Sequence, residues 1–258
     1  MASFLRINPG ESLETQAGAT SQAFYVIRGE GVTTSEHGEI QFSQGDLFVI
    51  PACDGAINHT ASEDTAIYWI TDEPLLQYLG VKASVCKFKS TLFRKERMLA
   101  EVERIKHQPG AEHRYTSSPP PLYNYIHIYI TYLIIYYISY LILCVYRNRM
   151  GILLGNKVTE DSTKTVTHTL WSLLNVLPAG DAQRPHRHNS VALDLCVSAE
   201  PSGVYTMMGP ELGPDGWVKD PVRCDWKTGA MFVTPPGWWY VCLLYSYNAI
   251  ASIYKMYI

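Results

Sequence analysis

Two histidines one residue apart, His186 and His188, are the side chains of this chain best suited to chemistry. In an extended strand successive side chains alternate between faces, so both imidazoles point one way and Arg187 points the other. Neutral imidazole is a good ligand for first-row transition metals, and two on one face supply half or more of a metal site. A lone buried histidine is commonly a satisfied core residue. A pair entering a strand just after Gly180 and Pro185 is more specific. Asp194, at even spacing beyond His188, is a weaker candidate for a further ligand.

Short strands must position these residues. WSLLNVLP, ending at Pro178, reads as a strand leading into Ala179 and Gly180, and the following QRPHRHNSVALDLCV is a second strand-rich stretch. In the first part of the chain the runs AFYVIRG, IQF, LFVIPA and AIYWIT are separated by Gly, Asp, Asn and Ser. Gly29 and Gly31 fall where a hairpin turns tightly, and Gly45-Asp46 precedes a strand that ends at Pro51. That rhythm predicts an all-β sandwich or barrel. Residues 93–106 (FRKERMLAEVERIK) instead place Met98, Val102 and Ile105 on one helical stripe, which predicts a surface helix between two β domains.

With 258 residues the chain is long enough for two medium domains, each burying a core of its own. A formal net charge of -3 offers no basic footprint, which sets aside nucleic acid as a partner. The six cysteines, Cys53, Cys86, Cys144, Cys196, Cys224 and Cys242, show no paired short spacing that would suggest a zinc knuckle or a disulfide framework. A reducing compartment fits them, and no apolar signal-peptide core follows Met1, so a cytoplasmic location is expected.

The motifs NPGESLE, AFYVIRGEG and GDLFVIPA resemble the two cupin motifs, and GDAQRPHRHNSVALDLCV, GVYTMMG and GAMFVTPPGWW resemble those of gentisate 1,2-dioxygenase and its ring-cleaving relatives. The resemblance implies two tandem jelly-roll β-barrels joined by a short helix, and the second is expected to be truncated because the aberrant tail after Trp239 replaces its closing strands. It implies Fe(II) or another divalent metal held by three histidines, an aromatic hydroxy acid as the small-molecule partner, and oxidative ring cleavage. His186 and His188 match two of the three ligand positions. The third corresponds to Tyr240, directly after Gly237-Trp238-Trp239, and breaks the pattern. Trp238 and Trp239 would then wall an aromatic pocket, with Arg184 or Arg187 offered to a carboxylate. No residue is assigned as catalytic. In the first barrel Glu14, Thr15 and Gln16 stand where a His-x-His pair would be, and only His59 falls near a ligand position, with Glu14 or Gln22 as companions. This barrel is expected to be structural, because a transition metal needs several converging ligands. The alternative to an impaired dioxygenase-type cupin is a non-catalytic cupin that binds a small molecule or assembles into a homo-oligomer. A metal-free isomerase using histidine as base lacks an acid partner at suitable spacing.

Two segments differ from the rest. Residues 115–146 contain no Asp, Glu, Lys or Arg, and together with the tail 240–258 they hold most of the chain's 18 tyrosines. The run 126–146 is long enough to span a bilayer as a helix, which would make the chain a single-pass membrane protein. Tyrosine in lipid belongs at the interface rather than throughout a span, and Tyr, Ile and Asn are what AT-rich DNA encodes. Trp239-Tyr240-Val241 also translates a good splice-donor sequence. Both segments are therefore expected to be retained introns. The resulting division is 1–80 for the first barrel with its site degenerate, 81–114 for the connector, 115–146 for the insert, 147–239 for the second barrel and 240–258 for an aberrant tail.

Overall fold

A computed structural model describes residues 1–106, 150–159, 162–177, 183–199, 203–244 and 251–257. The insert at 115–146 and the turn at Gly180 lie outside the described residues. Among those described, no helix is long and apolar enough to cross a membrane. Two compact units emerge, one containing Met1–Glu101 and Ile152–Leu173, the other built mainly from Leu174–Lys255.

The first unit begins with β1 (Ala2–Ile7), β2 (Ser12–Thr15), β3 (Ser21–Arg28), β4 (Gly31–Ser35), β5 (Gly38–Phe42), β6 (Leu47–Pro51), β7 (Ile57–Ala61) and β8 (Thr65–Thr71). Helix α1 (Glu73–Leu79), strand β9 (Thr91–Phe93) and helix α2 (Lys95–Lys106) follow. The strands form two antiparallel sheets, in the orders β1-β8-β3-β6-β9 and β2-β7-β4-β5. One apolar cluster takes Phe24, Phe48, Ile50, Ile67 and Trp69 from the first sheet and Phe42, Ile57 and Ala61 from the second. Two sheets sharing one core make a jelly-roll sandwich. Phe48 lies at its centre, stacked on Phe24 at 4.9 Å and on Phe42 at 5.8 Å between ring centroids. Gly31 is required because a Cβ there would collide with the carbonyl of Thr60 on β7.

The predicted helix is α2, with Met98 and Val102 buried and Leu99 exposed. Its start is held from the turn before β6. The carboxylate of buried Asp46 accepts the amides of Lys95 (2.9 Å) and Ser43 (3.0 Å) and pairs with Arg94 at 2.8 Å. A side chain distant in sequence thus does the work of an N-cap. Asp46→Ala should cost about 1–2 kcal/mol, through a lost cap and part-buried amides left without their acceptor. A lowered urea midpoint for this variant, with the slope unchanged, is the expected observation.

The later strands are β10 (Met150–Leu154), β11 (Trp171–Leu177), β12 (Ala192–Ser198), β13 (Val204–Gly209), β14 (Val222–Asp225), β15 (Met231–Thr234), β16 (Trp239–Leu244) and β17 (Ala251–Tyr257). They form sheets ordered β10-β11-β17-β12-β15 and β14-β13-β16. Strand pairing continues past residue 239, where the second barrel was expected to break off. β16 pairs with β13 over its whole length, and β17 lies between β11 and β12. The physical reason is compositional. Tyr240, Cys242 and Leu244 enter one apolar cluster with Leu177, Met208 and Trp226, while Val241 and Leu243 enter another with Val218. An unbroken run of aromatic and branched residues can serve a strand buried on both faces.

Candidate metal centre

The His-x-His segment does not lie in a regular strand. It runs antiparallel to the turn and strand that follow Pro235, held by a few backbone contacts. Gln183 N–H donates to Cys242 O at 3.0 Å, His186 and Tyr240 exchange both bonds at 3.1 and 2.9 Å, and Gly237 N–H donates to His188 O at 2.8 Å. Gly237 has a φ of +76°, a left-handed conformation that disfavours side chains, so glycine is what lets the turn reach His188.

Alternation survives in this short pairing. The rings of His186 and His188 lie 5.5 Å apart, edge to face, and the Tyr240 ring is 4.2 Å from the first and 5.8 Å from the second. Tyr240 is fully buried and both histidines are partly exposed. The three residues linked in sequence as two ligands and a third position are thus neighbours in space. His186 Nδ1 lies 2.9 Å from the carbonyl oxygen of Arg184. A carbonyl only accepts, so Nδ1 carries the proton and Nε2 the lone pair, the tautomer suited to a metal bond through Nε2.

Arg184 itself is exposed, and its backbone carbonyl holds His186 Nδ1. Nothing in its side-chain type signals that role. The nearest sequence signal is Pro185, which restricts the residue before it to extended backbone. Arg187 points away as expected, its guanidinium carbon 4.7 Å from the ring centroid of Trp239. The two tryptophans therefore do not wall one pocket. Trp238 packs with the cluster that contains Tyr240, and Trp239 packs with Val241 and Leu243. Asp194 is fully buried, opposite Phe232 in the β12–β15 pairing, and accepts a hydrogen bond from Thr234 Oγ1 at 3.2 Å. Its carboxylate does not form a cluster with His186 and His188 in which all ligand atoms come within 4.8 Å.

The side chains brought together here are two imidazoles and a phenol. Imidazole binds metal in its neutral form, whereas a phenol must first lose a proton. These residues do not fit a three-histidine Fe(II) centre. The thiols nearby do not repair the set. Burial pushes Cys196 up to about 12, and Cys242 Sγ is 3.3 Å from Thr206 Oγ1, which takes the Trp226 indole N–H at 2.9 Å.

The first unit has a more deeply buried histidine of its own. His59 points with Ile57 and Ala61 into the core and is fully buried. Both ring nitrogens face hydroxyls, Nε2 with Thr15 Oγ1 at 3.0 Å and Nδ1 with Thr33 Oγ1 at 2.8 Å. Burial lowers its pKa to about 4. Glu14 is exposed on the other face of β2, and the Gln22 side-chain oxygen accepts the Trp69 indole N–H at 3.2 Å. The structure does not bring either to His59 as a ligand.

No family model matches the chain. A curated relative, 5-aminosalicylate 1,2-dioxygenase of Comamonas sp, is 29% identical over 75 residues, a match covering 29% of this chain and 20% of that protein's length. Among solved structures, a salicylate 1,2-dioxygenase from Pseudaminobacter salicylatoxidans superposes with a TM-score of 0.64 at 15% identity, covering 99% of this chain and 70% of that one. A structure of such an enzyme described as an adduct with gentisate gives 0.63 at 16% identity, covering 99% and 67%.

Proposed function

We propose that this chain, which has the cupin fold of the salicylate 1,2-dioxygenases, is a cupin of the aromatic ring-cleaving plan, impaired at its metal centre. Its second unit binds small aromatic acids beside a weak site for Fe(II) or another divalent metal. The observation that carries this reading is the convergence of His186, His188 and Tyr240 on a pairing of only a few residues. Two imidazoles, that of His186 with its tautomer set for a metal bond, are the remains of a metal site, and a buried phenol at the third position weakens it. Trp238 supplies an aromatic wall on the same side, and the exposed Arg184 guanidinium is the group for a substrate carboxylate.

A non-catalytic cupin that binds a small molecule is the second reading. The observation that favours it is His59, held between two threonines in the first unit, where a metal-binding cupin would coordinate. The two readings part on metal. The full chain, purified without oxygen and dialysed against Fe(II), should take up a substoichiometric histidine-dependent fraction that disappears in the His186→Ala, His188→Ala double variant. Salicylate or gentisate should quench indole fluorescence, less so after Trp238→Phe. Uptake equal in wild type and the double variant would sink the metal-centre reading in favour of the second. A full histidine-dependent equivalent of iron with ring cleavage would show that the centre is not impaired.

A further inference from the structure

In the first unit, three loops bring four ligating side chains together. Glu36 and His37 form the turn between β4 and β5, Cys53 follows β6, and Cys86 lies in the stretch between α1 and β9 that has no regular secondary structure. The ligand atoms of Glu36, His37 and Cys53 all lie within 4.8 Å of one another. Glu36 Oε1 is 3.4 Å from His37 Nε2, and Cys86 Sγ is 3.8 Å from that same nitrogen.

We infer that Glu36, His37, Cys53 and Cys86 form a structural site for a borderline-soft divalent cation of the zinc class. Thiolate sulfur, imidazole nitrogen and carboxylate oxygen are the three donors such an ion takes in tetrahedral geometry. Bonds of about 2.0–2.3 Å give a tetrahedron with ligand-to-ligand edges of roughly 3.3–3.8 Å. The two separations quoted fall in that range before any ion pulls the groups inward.

The surroundings favour a cation as well. Cys53 is half-buried beside the exposed carboxylate of Glu36, whose Oε1 accepts the Asp54 N–H at 3.1 Å. The negative charge of that carboxylate attracts a divalent ion, which displaces the thiol proton on binding. Without metal, the carbonyl of Ala52 collects the His37 N–H at 2.7 Å and the Cys86 S–H at 3.3 Å. Binding releases the Cys53 and Cys86 thiol protons to solvent and moves the His37 ring proton from Nε2 to Nδ1, freeing Nε2 for the ion. Glu36 and Cys86 are exposed, so the ion enters without opening the sandwich. Occupied, the site would pin the irregular stretch before β9 to the turns of the first unit, closing a long loop.

Cobalt(II) tests this directly, because thiolate ligation gives a near-ultraviolet charge-transfer band that histidines alone do not. The full chain, reduced and metal-stripped, should bind one equivalent with that band, and zinc should displace it. The band should persist in the His186→Ala, His188→Ala variant, weaken in Cys86→Ser and vanish in Cys53→Ser. His37→Ala should weaken zinc binding more than about 100-fold, beyond the loss expected for an outer-shell partner. Zinc should also shield Cys53 and Cys86 from alkylation, read by mass spectrometry. Absence of the band in reduced wild-type protein overturns the proposal. So does a Cys53–Cys86 disulfide that survives reduction, or a band unchanged when both cysteines are replaced. Far-ultraviolet circular dichroism of each variant separates lost ligation from lost folding.

Discussion

Tyr240→His is expected to raise the affinity of the second unit for Fe(II) by more than about 100-fold, the scale on which even supporting residues alter metal sites. The argument is geometric. Position 240 is fixed by a two-way backbone pairing with His186, and its side chain already lies against both histidine rings. A third imidazole there needs no backbone movement, binds without losing a proton, and faces a His186 whose Nδ1 is held by the Arg184 carbonyl. Replacing a buried phenol with a smaller ring leaves a void, which should cost on the order of 1–3 kcal/mol of stability. Anaerobic titration with Fe(II) measures the gain, and unchanged affinity would count against the proposed centre. Tyr240→Phe is the companion variant. It keeps the ring and removes the oxygen, so a fall in residual metal binding would identify the phenol as a ligand, and no change would identify it as a filler.

The second large effect concerns pH. His59 is neutral in the folded first unit, with its pKa lowered from 6.5 to about 4 by burial. The folded state therefore binds fewer protons than the unfolded state between those values. Its stabilising contribution is fully present above pH 6.5 and is lost as pH falls towards 4. Integrated over that window the loss approaches about 3 kcal/mol. Urea unfolding at a series of pH values should show the midpoint falling steeply through this range in wild type and less steeply in His59→Gln, which keeps hydrogen-bonding groups near Thr15 and Thr33 without a titrating ring. Parallel pH profiles for the two proteins would remove His59 as the cause.

Period-two and period-3.6 patterns carried most of what the sequence disclosed. His186 and His188 share a side and Arg187 takes the other, as alternation requires, even though the segment is only a bridge. Gly45-Asp46 and the stripe of Met98 and Val102 were also readable, because local geometry depends on local residue type. Trp238 and Trp239 join different clusters, because β16 begins only at Trp239 and Trp238 still belongs to the turn before it. Long-range arrangement was not legible. No spacing rule connects His37, Cys53 and Cys86, since they meet only once three separate loops fold over one another. Likewise β17 gives no sign in its composition that it will lie between β11 and β12.

The discontinuity of the first unit bears on how the chain matures during synthesis. Its sheets are complete by β9, yet its contacts also include Ile152–Leu173, within which Val166 and Leu170 are fully buried. A nascent chain that has released only the first hundred or so residues holds every strand of the two sheets but lacks the later segment that completes the unit. Such an intermediate must wait on the ribosome for the later segment, and long-range closure of this kind is slow. Chaperone demand is then set less by the stability of the finished unit than by the time needed to translate what lies between its parts.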